Sequence, residues 1–374
     1  MRLTIKNISA FLMEKGLLKA KSIVDGDFIV TQSQNRNAIF RIHLRDGQSL
    51  FVKQLVSFDS QNSYLLQKDA TCLWLIKNES VFKELSQYVP AYYGYDPEKQ
   101  VLIVEYIPDA KDIETVYQAE RFLKPELLDQ VAKILSAYHF KLEYKTLTNR
   151  SVQFFMRQLP WTFQMAANPK SYGNQTANMY GPNPIINYLL NNQAFLDVMK
   201  KCVEEYEYST LVHGDIKWVN FIMKDATDVS TIKIIDWELA DIGDPLWDVA
   251  GVIQSLFASK VIMLSAAAAN PYQVMPQLTE AQMTQTFQEI KQLWEAYAKY
   301  QGFKEEQKLK GLKKVIRFAG MRLVQTAFEH NMNQQQMSPN ATVILQLSYS
   351  LMSQYELFFE QINKLNAIAY ENAN

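Results

Sequence analysis

The chain has 374 residues, of which 48% are hydrophobic, and this composition excludes a disordered chain. Lys and Arg total 38 against 39 Asp and Glu, so the net charge of −1 argues against a dedicated nucleic-acid binder. The length predicts two or three compact units. Two cysteines far apart exclude a disulfide framework, and a reducing cytoplasmic compartment fits this content. The first residues lack the uninterrupted apolar core of a signal peptide.

The first hundred residues predict an antiparallel sheet with one inserted helix. Apolar residues at helical spacing predict helices at 8–18 and 64–76. Short segments rich in Val, Ile and Phe predict strands at 22–31, 38–44, 49–56, 92–95 and 101–107. The dipeptide Asp46-Gly47 lies between the second and third of these strands and is a strong hairpin signal.

The rest of the chain is predicted to be mainly helical. Helical spacing recurs at 127–142, at 185–206 and through most of the chain after 248. A stretch rich in Asn, Gly and Pro predicts a long loop at 167–184. The most apolar stretch, 246–269, contains Asp248 and Lys260, which favours a buried helix with a break over a membrane span.

These elements predict an α+β protein of two lobes. The N-lobe, residues 1–107, is a small antiparallel sheet with one helix. The C-lobe, residues 108–374, is large and helical. A hinge is expected at 105–109, and a small-molecule site is expected in the cleft between the lobes.

The strongest chemical signal is the segment LVHGDIKWVNFIM at 211–223. It places Asn220 five positions after Asp215, between two apolar runs. The following apolar segment, IKIIDW, ends with Asp236, which lies 16 positions after Asn220. This interval suits a hairpin that would bring Asp215, Asn220 and Asp236 together.

These residue types fit phosphoryl transfer from ATP. The reaction needs a carboxylate beside the attacking hydroxyl, oxygen ligands for Mg²⁺ and positive charge on the phosphates. Asp215 can orient the hydroxyl and accept its proton, and Asn220 and Asp236 are suitable Mg²⁺ ligands. Lys53, in the strand segment SLFVKQLV, is the candidate cation, and Asp69 in the following helix is the best-placed acid to hold it.

The chain resembles the aminoglycoside phosphotransferase and choline kinase family, a branch of the protein-kinase-like fold. The resemblance rests on Lys53, on VLIVEYIP at the hinge, on VHGDIKWVNFIM and on IIDWELADIGDPLWDVA. It covers about residues 37–250. It implies ATP and Mg²⁺ as cofactors, with Asp215 as catalytic base and with Asn220 and Asp236 as metal ligands.

The resemblance also implies how the nucleotide is held, in the N-lobe, with the catalytic loop and the acceptor site in the C-lobe. Lys53 would contact the ATP phosphates, and the backbones of Glu105 and Ile107 would hydrogen-bond the adenine edge. The base would be sandwiched by Ile39, Val104 and Ile222. Asp248 would be a buried brace for the catalytic loop and not a ligand.

Three features depart from the family pattern. The loop at 32–37, QSQNRN, has no glycine, so phosphates could meet backbone N–H groups or the side chains of Ser33, Asn35 and Asn37. The helix acid is Asp69 where the family usually has Glu. Lys217 follows Asp215 by two positions and could neutralise the γ-phosphate in the transition state.

The acceptor is less clear than the donor. Ten basic and six acidic residues lie between Ser255 and His330, which argues against a polycationic aminoglycoside. One hypothesis is a kinase for a small metabolite hydroxyl, such as an amino alcohol, a sugar or homoserine. A second is a kinase for Ser or Thr of a precursor peptide in natural-product maturation, with a partner lyase. A third is an ATP-binding pseudokinase scaffold. No nucleic-acid or membrane partner is expected.

Overall fold

The protein is described here by a computed structural model covering residues 2–34, 37–45, 47–57, 59–141, 155–172, 183–266, 277–332 and 334–365. The strands are β1 Phe28–Gln34, β2 Asn37–Leu44, β3 Leu50–Leu55, β4 Tyr92–Asp96, β5 Val101–Glu105, β6 Lys111–Asp112, β7 Thr210–Val212, β8 Phe221–Met223, β9 Lys233–Ile234 and β10 Asp241–Gly243. The helices are α1 Ile8–Glu14, α2 Ala20–Val24, α3 Ser60–Asn78, α4 Ile113–Glu120, α5 Pro125–Lys141, α6 Trp161–Ala167, α7 Pro184–Leu190, α8 Gln193–Glu204, α9 Pro245–Ala266, α10 Glu280–Gln301, α11 Glu305–Asn331, α12 Pro339–Ser353 and α13 Tyr355–Lys364.

Two compact units divide the chain. Unit 1 comprises Met1–Ile113 and Asn220–Ala240, and unit 2 comprises Glu114–Val219 and Asp241–Asn374. The predicted lobes, 1–107 and 108–374, differ from these units chiefly because residues 220–240 group with the N-terminal segment. The physical reason is strand pairing, since β8 pairs with both β6 and β9 inside unit 1. The assignment of nucleotide and acceptor binding to the two lobes stays a prediction.

The sheet of unit 1 confirms the predicted antiparallel architecture. Its strand order is β1-β2-β3-β5-β4, and each neighbouring pair is antiparallel. The helix α3 is inserted between β3 and β4, as expected. One face of the sheet packs with α1 into a core that includes Phe11, Phe40, Val52 and Ile103.

Several boundaries in unit 1 differ from prediction: the helix predicted at 8–18 ends at Glu14 and the strand predicted at 101–107 ends at Glu105. Residues 22–27 do not extend the first strand, because α2 ends at Val24 and Gly26 then adopts a φ of 70°. Glycine reaches this left-handed region without steric cost, so the chain turns before β1 begins. The α3 helix starts earlier than the predicted residue 64, since the Asp59 side chain caps it by accepting from the Asn62 N–H.

Unit 2 is mainly helical, as predicted, with the short antiparallel pair β7–β10 beside the helices. Its core includes large buried side chains from several helices: Tyr138, Phe163, Trp247, Trp294, Tyr297 and Phe318. Together the two units show the predicted α+β class. The free cysteines, Cys72 and Cys202, are each buried.

The helix α9 is long and apolar enough to cross a membrane, but 78% of its most apolar stretch is buried inside the protein. This burial is typical of a core helix. The part of the predicted helix beyond Ala266 lies outside the described residues.

Other helices of unit 2 also differ from prediction. The segment 185–206 forms two helices, because the side chain of Asn192 accepts from the Phe195 N–H and starts α8 anew. The helices α4 and α6 were not predicted. Most of the expected loop at 167–184, namely residues 173–182, lies outside the described residues.

Candidate active site

A cavity of about 540 Å³ lies within unit 1, under the sheet. All seven residues predicted to bind ATP line it, as does one of the predicted metal ligands: Ile39, Lys53, Asp69, Val104, Glu105, Ile107, Ile222 and Asp236. The β2, β3 and β5 strands supply four of these eight residues: Ile39, Lys53, Val104 and Glu105. Ser33 and Asn37 also line the cavity, whereas Asn35 lies outside the described residues.

The Lys53 ammonium group lies among three carboxylates. Its Nζ is 2.8 Å from Asp236 Oδ1, 3.3 Å from Asp69 Oδ2 and 3.3 Å from Glu238 Oε2. The expected ion pair with Asp69 is therefore present, despite the shorter side chain. Burial alone would lower the pKa of Lys53, but the three carboxylates outweigh it and raise the pKa. Burial raises the pKa of Asp69, against the opposing pull of Lys53.

The β8–β9 hairpin brings Asn220 and Asp236 to one end of a strand pair. Phe221 pairs with Ile234, and the Ile235 N–H donates to the Asn220 carbonyl at 3.0 Å. Asp236 follows at a φ of 70° and a ψ of 59°, a left-handed conformation that Asp tolerates better than most residues. The turn is fixed by Asp69, whose Oδ1 accepts from the Trp237 N–H at 3.1 Å.

The donor set at this hairpin fits Mg²⁺. Asn220 and Asp236 offer an amide and a carboxylate oxygen, and the Asp236 side chain is 38% exposed. Among the described residues no group of three His, Cys, Asp or Glu could hold a metal ion. A site of two protein oxygens suits Mg²⁺, which usually keeps several waters and takes its other ligands from substrate phosphates.

A second cavity, of about 350 Å³, lies within unit 2 and is named here the unit 2 pocket. Both predicted catalytic residues, Asp215 and Lys217, line it. The other described lining residues are mostly polar: Glu114, Gln118, Trp218, Val219, Gln254, Ser255, Ala258, Ser259, Ile262, Arg322, Gln325, Thr326, Glu329 and His330.

The Asp215 carboxylate is surrounded by donors. Its Oδ2 lies 3.0 Å from Lys217 Nζ, and its Oδ1 lies 3.6 Å from Arg322 Nη2. Gln325 Nε2 donates to the same Oδ1 at 3.4 Å. Burial alone would lower the pKa of Lys217, but the carboxylates of Asp215 and Glu329 raise it. Lys217 therefore stays charged beside the carboxylate.

Asp248 anchors the loop that carries Asp215. Its Oδ2 accepts from the His213 N–H at 2.7 Å, and its Oδ1 accepts from the Gly214 N–H at 3.0 Å. The hydroxyl of Tyr138 donates to Oδ2 at 2.7 Å, and His139 Nε2 lies 3.3 Å away. Burial alone would raise the pKa of Asp248, but these partners outweigh it and lower the pKa. This geometry is that of the predicted brace.

The comparison with known families places the chain. The family model described as "Phosphotransferase enzyme family" matches residues 81–298, which is more than half of the chain. The chain belongs to this phosphotransferase family. It is therefore a kinase that acts on hydroxyl acceptors, and the predicted family resemblance is confirmed. No curated protein matches the chain.

Solved structures support the kinase-like fold of this phosphotransferase. A candidate fructosamine-3-kinase from Thermobifida fusca YX-ER1 is 15% identical, with a TM-score of 0.53, and the match covers 94% of this chain and 100% of that one. A glucosamine kinase in complex with glucosamine, ADP and inorganic phosphate is 14% identical, also at a TM-score of 0.53, covering 90% and 83%.

Several residues of the phosphotransferase site were missed from the sequence. Glu238 stands two positions after Asp236 in IIDWEL, so its proximity in sequence to the predicted metal ligand was a usable signal. Arg41 lines the unit 1 cavity from the same face of β2 as Ile39, a period-2 signal that could have revealed it. Arg322 and Gln325 approach Asp215 from α11, more than 100 positions away, and no local motif marks them.

Proposed function

We propose that this phosphotransferase uses ATP and Mg²⁺ to phosphorylate a hydroxyl of a small polar metabolite, such as a sugar, an amino alcohol or homoserine, in the cytoplasm. The observation that carries the proposal is Asp215, whose carboxylate lines a polar pocket of small-molecule size. The cavity of unit 1, with Lys53 on its wall, supports a nucleotide as the donor.

The donor side is proposed to work through charge and position. Lys53 would contact the nucleotide phosphates, and its three carboxylate partners hold the ammonium in place. Ile39, Val104 and Ile222 would sandwich the base. Asn220 and Asp236 would hold Mg²⁺, which when bound neutralises charge on the phosphates.

The acceptor side is proposed to position one hydroxyl at Asp215. A free hydroxyl is a weak nucleophile at neutral pH, so the carboxylate would orient it and accept its proton as the bond to phosphorus forms. Lys217, 3.0 Å from the same carboxylate, would place positive charge beside the transferred group.

The lining of the unit 2 pocket favours a hydroxyl-rich acceptor. Amide and hydroxyl side chains, among them Gln118, Gln254 and Ser259, can each exchange hydrogen bonds with a sugar. Glu114 and Glu329 add two carboxylates that suit an amino group. A quaternary ammonium ligand binds best in a cage of several aromatic rings. Trp218 is the one indole among the described lining residues, so the pocket favours a sugar or a primary amine over such a ligand.

The test is single-turnover transfer of labelled phosphate from ATP to a panel of sugars, amino sugars, amino alcohols and homoserine. With the acceptor found, Asp215→Asn should keep ATP binding and slow transfer by roughly 10²- to 10⁴-fold, the usual worth of general base catalysis. Asp197→Asn, at an exposed position of α8, is the control and should transfer at the normal rate. Near-normal transfer by Asp215→Asn would show that another group is the base.

The same assay addresses the other hypotheses. Transfer to a Ser or Thr peptide, with no transfer to any small hydroxyl compound, would favour the peptide kinase and its partner lyase. ATP binding without transfer to any acceptor would favour the pseudokinase. Repeating the assay with GTP would decide whether the donor site prefers adenine or guanine.

A further inference from the structure

Arg41 places a second cation in the cavity of unit 1. Its side chain lines the cavity, and its guanidinium carbon lies 5.8 Å from the centroid of the Phe51 ring. The guanidinium also donates from Nη1 to Ser33 Oγ at 3.0 Å. Among the described residues Arg41 has no carboxylate partner.

Strand register sets this guanidinium level with Lys53. Ser33 on β1 pairs with Ile39 on β2, and Ile39 pairs with Lys53 on β3. All three side chains line the cavity, so they form one row across the sheet. Because Arg41 reaches back to Ser33, its charge lies on the row of Lys53. Neighbouring strands are about 4.8 Å apart, so the backbones at Ser33 and Lys53, two strands apart, are separated by roughly 10 Å.

The charge balance leaves Arg41 available to an anion. Lys53 is matched by three carboxylates, whereas within the described part of the chain the guanidinium of Arg41 contacts a hydroxyl and an aromatic ring. Arg41 and Lys53 are the two cations among the described lining residues. A nucleoside triphosphate brings several negative charges, and Lys53 is already compensated.

The same surface carries an amide that can donate a hydrogen bond. Asn37, on the Arg41 face of β2, lines the cavity and is 9% exposed. Its Nδ2 group can donate to a phosphate oxygen, whereas its Oδ1 can only accept and is not completed by phosphate. The segment 32–37 was predicted as a loop, but residues 32–34 belong to β1 and Asn37 begins β2. The segment has no glycine to bring backbone N–H groups close to phosphate.

We propose that Arg41 binds the phosphate chain of the nucleoside triphosphate, with Ser33 and Asn37 beside it, as a side-chain cradle in place of a glycine-rich loop. The guanidinium is suited to this role because its planar fork donates two hydrogen bonds to phosphate oxygens. The inference rests on the proposed function, in that ATP is taken as the donor.

The experiment compares the affinities of adenosine, AMP, ADP and ATP by calorimetry. Arg41→Gln should weaken ATP and ADP by roughly 10- to 100-fold, the usual worth of charged hydrogen bonds, and should leave adenosine unchanged. Arg41→Lys should restore part of the loss. Arg45→Gln is the matched control, since Arg45 directly follows β2, is exposed and does not line the cavity.

Two results would overturn the proposal. One is wild-type affinity of Arg41→Gln for every nucleotide. The other is an equal loss for adenosine and ATP, which would show that Arg41 only supports Phe51. Both leave the kinase function intact because the wild type still binds ATP, whereas a wild type that binds no nucleotide would refute the proposed function together with this one.

Discussion

The side chain of Lys53 is held in place by the acidic residues around it. Three carboxylates within 3.3 Å of its Nζ leave the ammonium few alternative positions. Holding a flexible lysine in advance reduces the entropy that substrate binding would otherwise cost. The same three acids leave a surplus of negative charge, which a metal ion at Asp236 would offset.

Two substitutions of Lys53 distinguish the effect of its charge on the rate from the effect of its shape. Lys53→Ala should lower kcat/KM by roughly 100-fold or more, because a preorganised cation is lost where charge develops. Lys53→Arg should recover only part, since the planar guanidinium differs from the compact ammonium. Steady-state kinetics on the identified acceptor measure this, with Lys21→Ala on the exposed α2 as the control. Unchanged kcat/KM in Lys53→Ala would refute a role for this charge.

Asp236 and Glu238 allow the proposed metal role to be isolated. Both contact the same ammonium, at 2.8 and 3.3 Å, but only Asp236 is a proposed Mg²⁺ ligand. Asp236→Ala should remove the gain in ATP affinity that Mg²⁺ gives, whereas Glu238→Gln should keep most of it. Calorimetry of ATP with and without Mg²⁺ gives both values. An equal loss in the two variants would mean that the effect runs through Lys53.

Two helices, α9 and α11, hold the loop at 213–217. Asp248 of α9 accepts two of its backbone N–H groups, and Arg322 of α11 donates to the carbonyls of Gly214 and Ile216. Gly251 keeps this contact close, because a Cβ there would clash with the Ile216 carbonyl. The loop is therefore fixed at both its donors and its acceptors.

Removing the Asp248 anchor should affect stability and rate together. Asp248→Ala leaves two buried N–H groups unpaired, so the free energy of unfolding should fall by about 3 kcal/mol. The rate of transfer should fall too, since Asp215 follows directly. Asp241→Ala is the control, because Asp241 also accepts from backbone N–H groups, those of Arg157, Gln158 and Ile242, away from this loop. Urea unfolding and single-turnover rates should show that only Asp248→Ala combines both losses.

Local sequence patterns predicted the helices and strands better than they predicted which residues these elements bring together. Short segments rich in Val, Ile and Phe predicted the sheet, whereas most of the predicted residues of the cavity wall came from the family resemblance. The Asn192 cap and the Gly26 turn moved boundaries, since each depends on one side chain or one φ value. Arg322 and Gln325 could not be predicted, because helix packing alone brings them to Asp215.

The family and the fold class of the whole chain are those predicted from the sequence. The two compact units have other bounds than the predicted lobes. Residues 220–240 follow the loop at 213–217 in sequence, but β8 within them pairs with β6 of unit 1. The chain therefore contributes Asn220 and Asp236 to the unit that also holds Lys53. No periodicity in that segment indicates this partner, because the strands have only two or three residues each.

The stability of the molecule should depend on pH through Asp96, which joins β4 to the N-terminal segment. Its Oδ2 lies 2.9 Å from Lys15 Nζ, and its Oδ1 accepts from the Lys99 N–H at 2.9 Å. Burial alone would raise the pKa of Asp96, but these partners lower it to about 2. Because the folded pKa lies below the unfolded value near 4, the stabilisation is complete above about pH 4 and is lost as the pH falls through about 2.

The variant Asp96→Asn should reveal this contribution. At pH 7 the free energy of unfolding should be about 1 kcal/mol below the wild type, after allowing for solvent screening of the pair. The difference should stay constant between pH 5 and pH 8 and shrink as the pH falls below about 4. The wild-type carboxylate is then protonated first in the unfolded chain and, near pH 2, in the folded protein. Urea unfolding of both proteins at each pH measures it, with Asp197→Asn showing no such trend. A difference that grows toward low pH would contradict the assigned ion pair, since it would require a carboxylate whose pKa is raised on folding.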